Sequence, residues 1–487
     1  MRPYPETLFL VFDRPISFDE ARTACADTVQ SIKGSLMAND QKKMMSRVVV
    51  ASLVGATIEW YDFFLYGVVA GIVLNKQFFP SSDPTVGTLL AYATFAVGFI
   101  TRPIGGIIFG HFGDKIGRKS MLILTLSIMG VSTVLIGAVP TYQQIGIWAP
   151  ITLLLLRIFQ GIGLGGEWGG AVLMTFEFAK PSKRGFYASL PQIGLSLGLC
   201  LSSGVVGLLS YTLTDAQFLA WGWRVAFFLS IVLLFVGTWI RLHVMETPEF
   251  QKAKKSTPAP RIPLVEMWKN HKGNVLAGMG ARYIDGVAFN IFGVFSISYL
   301  ASTLHVNRTE SLTGVMLSAM IMVATIPFFG HLSDKIGRSK VYIVGSLVTG
   351  FAALPSFWMM AHSGGNIALI WLGLIIPLGI LYAAVYGPEA ALFAELFDTN
   401  IRYTGISFVY QVSGIFASGI TPIIATALLK YDPSATIMCL YVAFSGVVSA
   451  ISAWWIGKYV PQNQGDFLEV AKEAAPAGEA LEAKATN

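Results

Sequence analysis

Hydrophobic residues in this chain come in long blocks rather than in alternation. Twelve runs are each apolar for about twenty residues or more: 48–74, 85–109, 120–139, 146–178, 186–210, 221–242, 274–303, 311–331, 341–361, 367–394, 403–429 and 435–457. At about 1.5 Å per residue, a helix of that length crosses a hydrocarbon core of about 30 Å. Lipid offers no water to backbone N–H and C=O groups, so the pattern predicts helices. The polar stretches between the runs are short, except 243–273, which carries Pro248, Pro258, Pro260 and Pro263. The expected architecture is all-α: an extension over 1–45, a six-helix bundle over 46–242, a central loop over 243–273, a second bundle over 274–458 and a tail over 459–487.

Of the 487 residues 54% are hydrophobic and 13% charged, where soluble domains carry about 25% charged residues. Most of the surface therefore cannot face water. The net charge of +6 raises nucleic acid as a partner. The basic residues, however, are scattered over many short loops on one side of the layout, among them Lys43, Arg47, Lys115, Lys183, Lys255 and Lys340. That distribution follows the positive-inside rule, places both termini in the cytoplasm and leaves no nucleic-acid patch. Cys25, Cys200 and Cys439 are too few and too scattered for a disulfide framework or a metal site. Residues 1–36 read as neither a signal peptide nor a span, because the apolar run Leu8–Phe12 is too short and is followed by acidic residues. Met37 stands just before the basic flank of the first span, so the segment is either an extension or an early start. The Ala- and Glu-rich tail from about 463 is expected to be solvated and partly disordered.

An internal repeat organises the spans. Gly110-His-Phe-Gly-Asp-Lys-Ile-Gly-Arg-Lys-Ser120 recurs as Gly330-His-Leu-Ser-Asp-Lys-Ile-Gly-Arg-Ser-Lys340, 220 residues on, each copy following the second span of its half. Glu177 precedes Arg184 by seven residues, as Glu395 precedes Arg402, each pair after the fourth span of its half. The repeated loop resembles the cytoplasmic signature of the major facilitator superfamily, and Arg157-Ile-Phe-Gln160-Gly161 is similar to that superfamily's second motif. Glu59-Trp-Tyr-Asp62-Phe, Gly98-Phe-Ile-Thr-Arg102-Pro103 and Gly165-Gly-Glu167-Trp-Gly-Gly170 resemble its metabolite:H⁺ symporter branch, and the stretch from Trp60 to Trp223 resembles shikimate transporters. The resemblance implies twelve transmembrane helices in two pseudo-symmetric bundles of six, with a substrate site between them. It also implies an inner-membrane symporter for a small organic acid, with proton, solute and lipid bilayer as partners. Other carboxylates, aromatic acids and zwitterions such as proline or betaine remain open as substrates.

In the loop copies, Gly110, Gly117 and Gly337 allow helix ends to approach closely. Asp114 and Asp334 are placed to cap a neighbouring helix N-terminus, with Arg118 and Arg338 at the cytoplasmic surface. The expected role is a gate that holds one access state and breaks in the other. Charges within spans are the sharper signal, since each costs several kcal/mol unless paired or hydrated. Glu59 and Asp62 lie three apart on one face of the first span, where two carboxylates resist joint ionisation, the property a proton carrier needs. Arg102 and Arg157 are their natural partners or the holders of an anionic substrate, although Arg102 stands near a span end from which it can snorkel. Glu167 is ten residues beyond Arg157, too far along a helix for a local pair. Arg282 and Asp285, three apart in the seventh span, can satisfy one another. Tyr283, Asn290, Tyr382, Tyr386, Tyr410 and Gln411 offer hydrogen bonds to a hydroxylated solute.

Two patterns mislead. Gly161, Gly163 and Gly166 fit G-x-G-x-x-G but lie inside an apolar span, where close helix packing explains them better than a dinucleotide. His111 and His331 are repeated motif positions, not a metal pair. There is no G-x-x-x-x-G-K-[ST] loop and no catalytic constellation, so neither ATP hydrolysis, a cofactor nor an enzyme activity is expected. The fifth span reads Gly194-Leu-Ser-Leu-Gly198 without the Gly-Pro dipeptide common in exporters of the superfamily, and the charges kept within the spans argue against a sensor that only binds.

Overall fold

A computed structural model describes residues 45–46, 49–80, 84–116, 118–165, 168–243, 267–269, 271–397 and 402–473, with the side chains of 84, 110–122, 174, 178, 241–243 and 459–473 outside that description. Each predicted run is a helix, and no strand occurs among the described residues. In chain order the helices are α1 Val49–Gln77, α2 Thr85–Phe109, α3 Arg118–Ala138, α4 Trp148–Glu177, α5 Pro181–Thr212 and α6 Asp215–Ile240. The second set is α7 Lys272–Ser302, α8 Arg308–Ile336, α9 Arg338–Ala361, α10 Ile367–Ala394, α11 Arg402–Tyr431 and α12 Thr436–Lys458. Eleven are long and apolar enough to cross a membrane, and the apolar part of α3, Ile123–Ala138, is the shorter twelfth.

The largest shifts from the expected starts are at α5 and α6, where polar residues belong to the helix cap. Pro181 enters at the first turn, where its missing N–H costs nothing, and Thr214 forms a capping box with Gln217. The last helix runs past the end of its apolar run to Glu473, because each added residue adds a backbone hydrogen bond, and the tail beyond it lies outside the described residues. Of the expected extension over 1–45 and central loop over 243–273, residues 1–44, 244–266 and 270 lie outside the described residues.

Helices α3, α6, α9 and α12 form the outer faces. α3 packs on α4 and α6, and α12 on α7 and α9. Outward they carry large apolar side chains such as Val131, Phe235, Trp239, Phe351, Trp358 and Phe444, an exposure suited to lipid. The two halves meet along α5 with α8 and α2 with α11, while α1, α4, α7 and α10 line the space between. Small residues permit the closest approach, at α2 and α4. A Cβ on Gly161 would stand 2.0 Å from Thr101 Oγ1, and one on Gly165 2.0 Å from the Arg102 carbonyl oxygen. The glycine pattern of α4 is thus a packing device.

Several spans carry a π-helical turn: Ala70–Leu74 in α1, Phe218–Gly222 in α6, Asn290–Phe295 in α7, Ile375–Leu381 in α10 and Ile415–Gly419 in α11. Such turns hold one residue more than an α-helix and are frequent at functional sites. α2 breaks at Thr101, two residues before Pro103, whose ring removes the N–H that would have bonded the Phe99 carbonyl.

Candidate functional site

The first buried cluster belongs to the amino-terminal half. Glu59 and Asp62 face inward from α1, 6% and 1% exposed. Asp62 Oδ1 accepts a 2.6 Å hydrogen bond from Ser230 Oγ of α6 and lies against the Thr133 hydroxyl of α3. Thr133 Oγ1 accepts from Gln160 Nε2 at 2.7 Å, and Gln160 Oε1 accepts from Arg157 Nη1 at 2.7 Å. Arg157 is therefore linked to Asp62 through two neutral side chains rather than by an ion pair.

Aromatic rings take the place of a counter-ion. The Arg157 guanidinium lies 4.0 Å from the Phe63 ring, 4.6 Å from Tyr66 and 4.9 Å from Phe95. Gly98 makes the room, since a Cβ there would stand 2.7 Å from Arg157 Nε. Arg102 lies 4.1 Å from Phe63, 4.3 Å from Phe99 and 5.3 Å from Trp60. A desolvated cation over a ring gains about 2 kcal/mol, so stacked rings stabilise Arg157, and at Arg102 they act together with the Glu59 carboxylate. Nε and Nη2 of both arginines are buried without a hydrogen-bond partner. Of the two readings of Arg102, the snorkelling alternative does not hold: the side chain is 3% exposed and packs against the α1 rings just after the break at Thr101.

The second cluster belongs to the carboxy-terminal half. Arg282 Nη2 of α7 pairs with Asp285 Oδ2 at 3.3 Å, and Arg282 Nε lies 3.8 Å from Glu389 Oε1 of α10. The guanidinium sits 3.7 Å over the Tyr410 ring of α11. Tyr382 donates a 2.5 Å hydrogen bond to Asp285 Oδ1. Glu389 is fully buried, and neither carboxylate oxygen has a hydrogen-bond partner.

A single aromatic layer separates the clusters. Trp168 of α4 stacks on Tyr410 at 3.7 Å, and Phe64 of α1 meets Phe289 of α7 at 4.8 Å. Phe99 and Arg282 share the space beside Gly414, 3.6 and 3.9 Å from where its Cβ would be. Trp168 Nε1 and Gln411 Oε1 are also buried without hydrogen-bond partners. Buried polar atoms are nearly always bonded, so these donors and acceptors between the halves are able to bond a polar solute.

Contacts close both ends of this space. At the motif-bearing end, the Asp334 carboxylate accepts from the Gly185 and Phe186 N–H groups at the start of α5, at 2.8 and 2.9 Å. Arg338 holds Asp334 at 3.3 Å and also pairs with Glu395. Arg402 pairs with Glu177 of the other half at 3.7 Å. A Cβ on Gly185 would stand 2.6 Å from the Gly330 carbonyl oxygen, so glycine alone permits this approach. At the opposite end, Arg308 pairs with Asp215 at 3.1 Å and lies 4.4 Å over Phe218. There the π turn of α1 lies against α7, with Ser298 Cβ 3.0 Å from where a Cβ on Gly71 would be.

Some expected site residues fall elsewhere. Glu167 and Gly117 lie outside the described residues, as do the side chains of Gly110, Asp114 and Arg118, whose backbone is helical. Gly337 caps α8 and opens α9 at φ 101°, a conformation that favours glycine. Tyr283 is turned away from the clusters, its ring packed against Phe416 and Tyr441. Asn290 donates to the Gly286 carbonyl of its own helix, and Gln411 donates to the Gly165 carbonyl across the halves at 3.1 Å. Glu389, Thr133 and Ser230 escaped the sequence reading. For Glu389 the signal was present, an acid inside the apolar run 367–394.

Residues 47–262 match the family described as sugar (and other) transporter, and residues 275–482 match the Major Facilitator Superfamily. The shikimate transporter of Escherichia coli (strain K12) is 42% identical over 387 residues, covering 79% of this chain and 88% of that relative. An inner membrane metabolite transport protein of the same organism is 41% identical, with the same coverage. A proline/betaine transporter of Salmonella typhimurium (strain LT2) is 35% identical, covering 86% of this chain and 85% of that relative. Among solved structures, a D-xylose-proton symporter superposes with a TM-score of 0.66 at 17% identity, over 86% of this chain and 98% of that one, a likeness of fold.

Proposed function

The chain belongs to the major facilitator superfamily, a family of carriers rather than enzymes, and we propose that this multi-pass membrane protein imports a small organic acid together with a proton. A hydroxylated monocarboxylate of the shikimate type is the lead substrate, supported by the 42% identical relative. The observation that carries the reading is the pair Arg102 and Arg157, buried cations of the amino-terminal half whose Nε and Nη2 have no hydrogen-bond partner. Arginine stays charged and offers a carboxylate two parallel donors. Asp62, held by hydroxyls rather than by a cation, is suited to gain and lose a proton. Glu59, one turn away and also buried, opposes ionisation of both. Arg282, Asp285 and Glu167 compensate charge.

The bodies 46–242 and 274–458 rock against one another. The loop copies at 110–120 and 330–340 act as the gate, and the basic loops put that end and both termini in the cytoplasm. The contact of Asp334 with the start of α5 supports the gate. A zwitterion such as proline or betaine is the second reading, supported by the 35% identical relative and by carboxylates beside the stacked Trp168 and Tyr410 rings.

Uptake of labelled shikimate by proteoliposomes, with and without an inward proton gradient, tests the proposal. Gradient-stimulated uptake that Asp62→Asn abolishes is the expected result. Accumulation of proline or betaine instead keeps the mechanism and replaces the substrate. Binding without flux from folded protein sinks the transport reading.

A further inference from the structure

Glu389 is the buried charge that this mechanism leaves idle. The titratable groups facing it are Arg282 and Asp285 from α7, Tyr342 from α9, Tyr410 from α11, and Tyr382 and Tyr386 on α10 itself. One guanidinium thus serves two carboxylates in a place shielded from water, where a single cation balances a single anion. The two acids are not equivalent. Asp285 has the closer contact with Arg282 and the Tyr382 hydroxyl as well, whereas Glu389 has only a 3.8 Å approach to Arg282 Nε and no hydrogen bond. Asp285 is the acid equipped to remain ionised, and Glu389 the one equipped to hold a proton. Arg282 also keeps Nε and Nη1 without hydrogen-bond partners and reaches to the boundary with Phe99 of the other half.

We infer that Glu389 is a second proton-binding site, and that its ionised carboxylate competes with the substrate's carboxylate for Arg282. With Glu389 ionised, Arg282 is shared between two acids of its own half and has no charge to offer. A proton on Glu389 Oε1 or Oε2 leaves Arg282 opposed by Asp285 alone, and its free nitrogens then accept a carboxylate arriving from the interface. Proton and organic anion bind cooperatively, because each makes the other's site electrically acceptable. The balance is simple: one proton binds to Glu389 on the side where the substrate enters and leaves on the other side, with no covalent bond to substrate formed.

The inference rests on the symport reading, and the two are separable. Binding of labelled shikimate to the purified full-length chain is measured from mildly acid to alkaline pH. Wild type should lose about tenfold in affinity toward alkaline pH, equivalent to about 1.4 kcal/mol. Glu389→Gln, which mimics the protonated acid, should flatten that dependence while Glu389→Asp restores it. Independently of any variant, a hydrophobic carbodiimide, which attacks protonated carboxyl groups in apolar sites, should modify Glu389 of the wild-type protein. By mass spectrometry that labelling should fall as pH rises. A pH dependence in Glu389→Gln equal to wild type, or no labelling of Glu389 at any pH, overturns the inference and leaves symport through Asp62 standing. Wild-type uptake indifferent to a proton gradient overturns the symport reading itself.

Discussion

Positions 62 and 282 stand at the repeat offset of 220 residues, and they carry opposite charges. In the first half the site is an acid held by the Ser230 and Thr133 hydroxyls, and the nearby Arg157 lies among three rings. In the second half it is an arginine between Asp285 and Glu389. The contrast separates two ways of keeping charge in lipid. Rings and hydroxyls stabilise a charge without neutralising it, which leaves it able to bind a solute or a proton. Carboxylates neutralise a cation and release it only when one of them is protonated. On the proposed mechanism, one half is then ready to bind and the other must be switched.

The sharpest way to break this comparison is to remove the cation that each half depends on. Arg282→Ala leaves Asp285 and Glu389 facing each other without compensation, and a loss of about 3–5 kcal/mol is expected, read as lost folded protein in heated detergent extracts. Adding Asp285→Asn and Glu389→Gln to that variant should restore much of the yield. Arg157→Ala strands no carboxylate. It should cost about 2 kcal/mol from lost ring contacts while abolishing uptake, and Arg157→Lys should not rescue it, because an ammonium cannot lie flat on rings and reach Gln160 together. Equal destabilisation by the two alanine variants would erase the distinction between the halves.

Smaller effects sharpen it at the gate. Asp334→Asn weakens two charge-assisted bonds to α5 and should cost the closed state about 1.5 kcal/mol, seen as greater labelling of engineered cysteines at the motif-bearing end. Glu177→Gln should change uptake least, by less than about 1 kcal/mol in effect, because the Glu177 side chain is 48% exposed where it meets Arg402. A large loss there would show that the crossed ion pair, not the Asp334 cap, holds that end.

The spans were legible because hydropathy needs only local sequence, and the loop repeat exposed the two halves for the same reason. The site was legible in part. Glu59, Asp62, Arg157, Arg282 and Asp285 announce themselves as charges in apolar runs. Their partners do not. The rings around Arg157 come from α1 and α2, and the hydroxyls at Asp62 from α3 and α6, so the helix packing creates these contacts. For Arg102 an interfacial position stayed open as an alternative because span counting assumes a straight helix, whereas the helix breaks at Thr101 and the side chain is buried. Glu389 was readable as a charge, but its meaning depends on Arg282, more than one hundred residues earlier in the chain.

The π turns at Ala70–Leu74 and Asn290–Phe295 begin at the same offset as the repeated loops. Matching irregularities at matching places are what a duplicated six-helix unit would carry into both halves. Two copies of such a unit, paired as separate chains, would have carried the same turn in each. What fusion made possible was divergence at positions 62 and 282, an asymmetry that identical subunits could never have encoded.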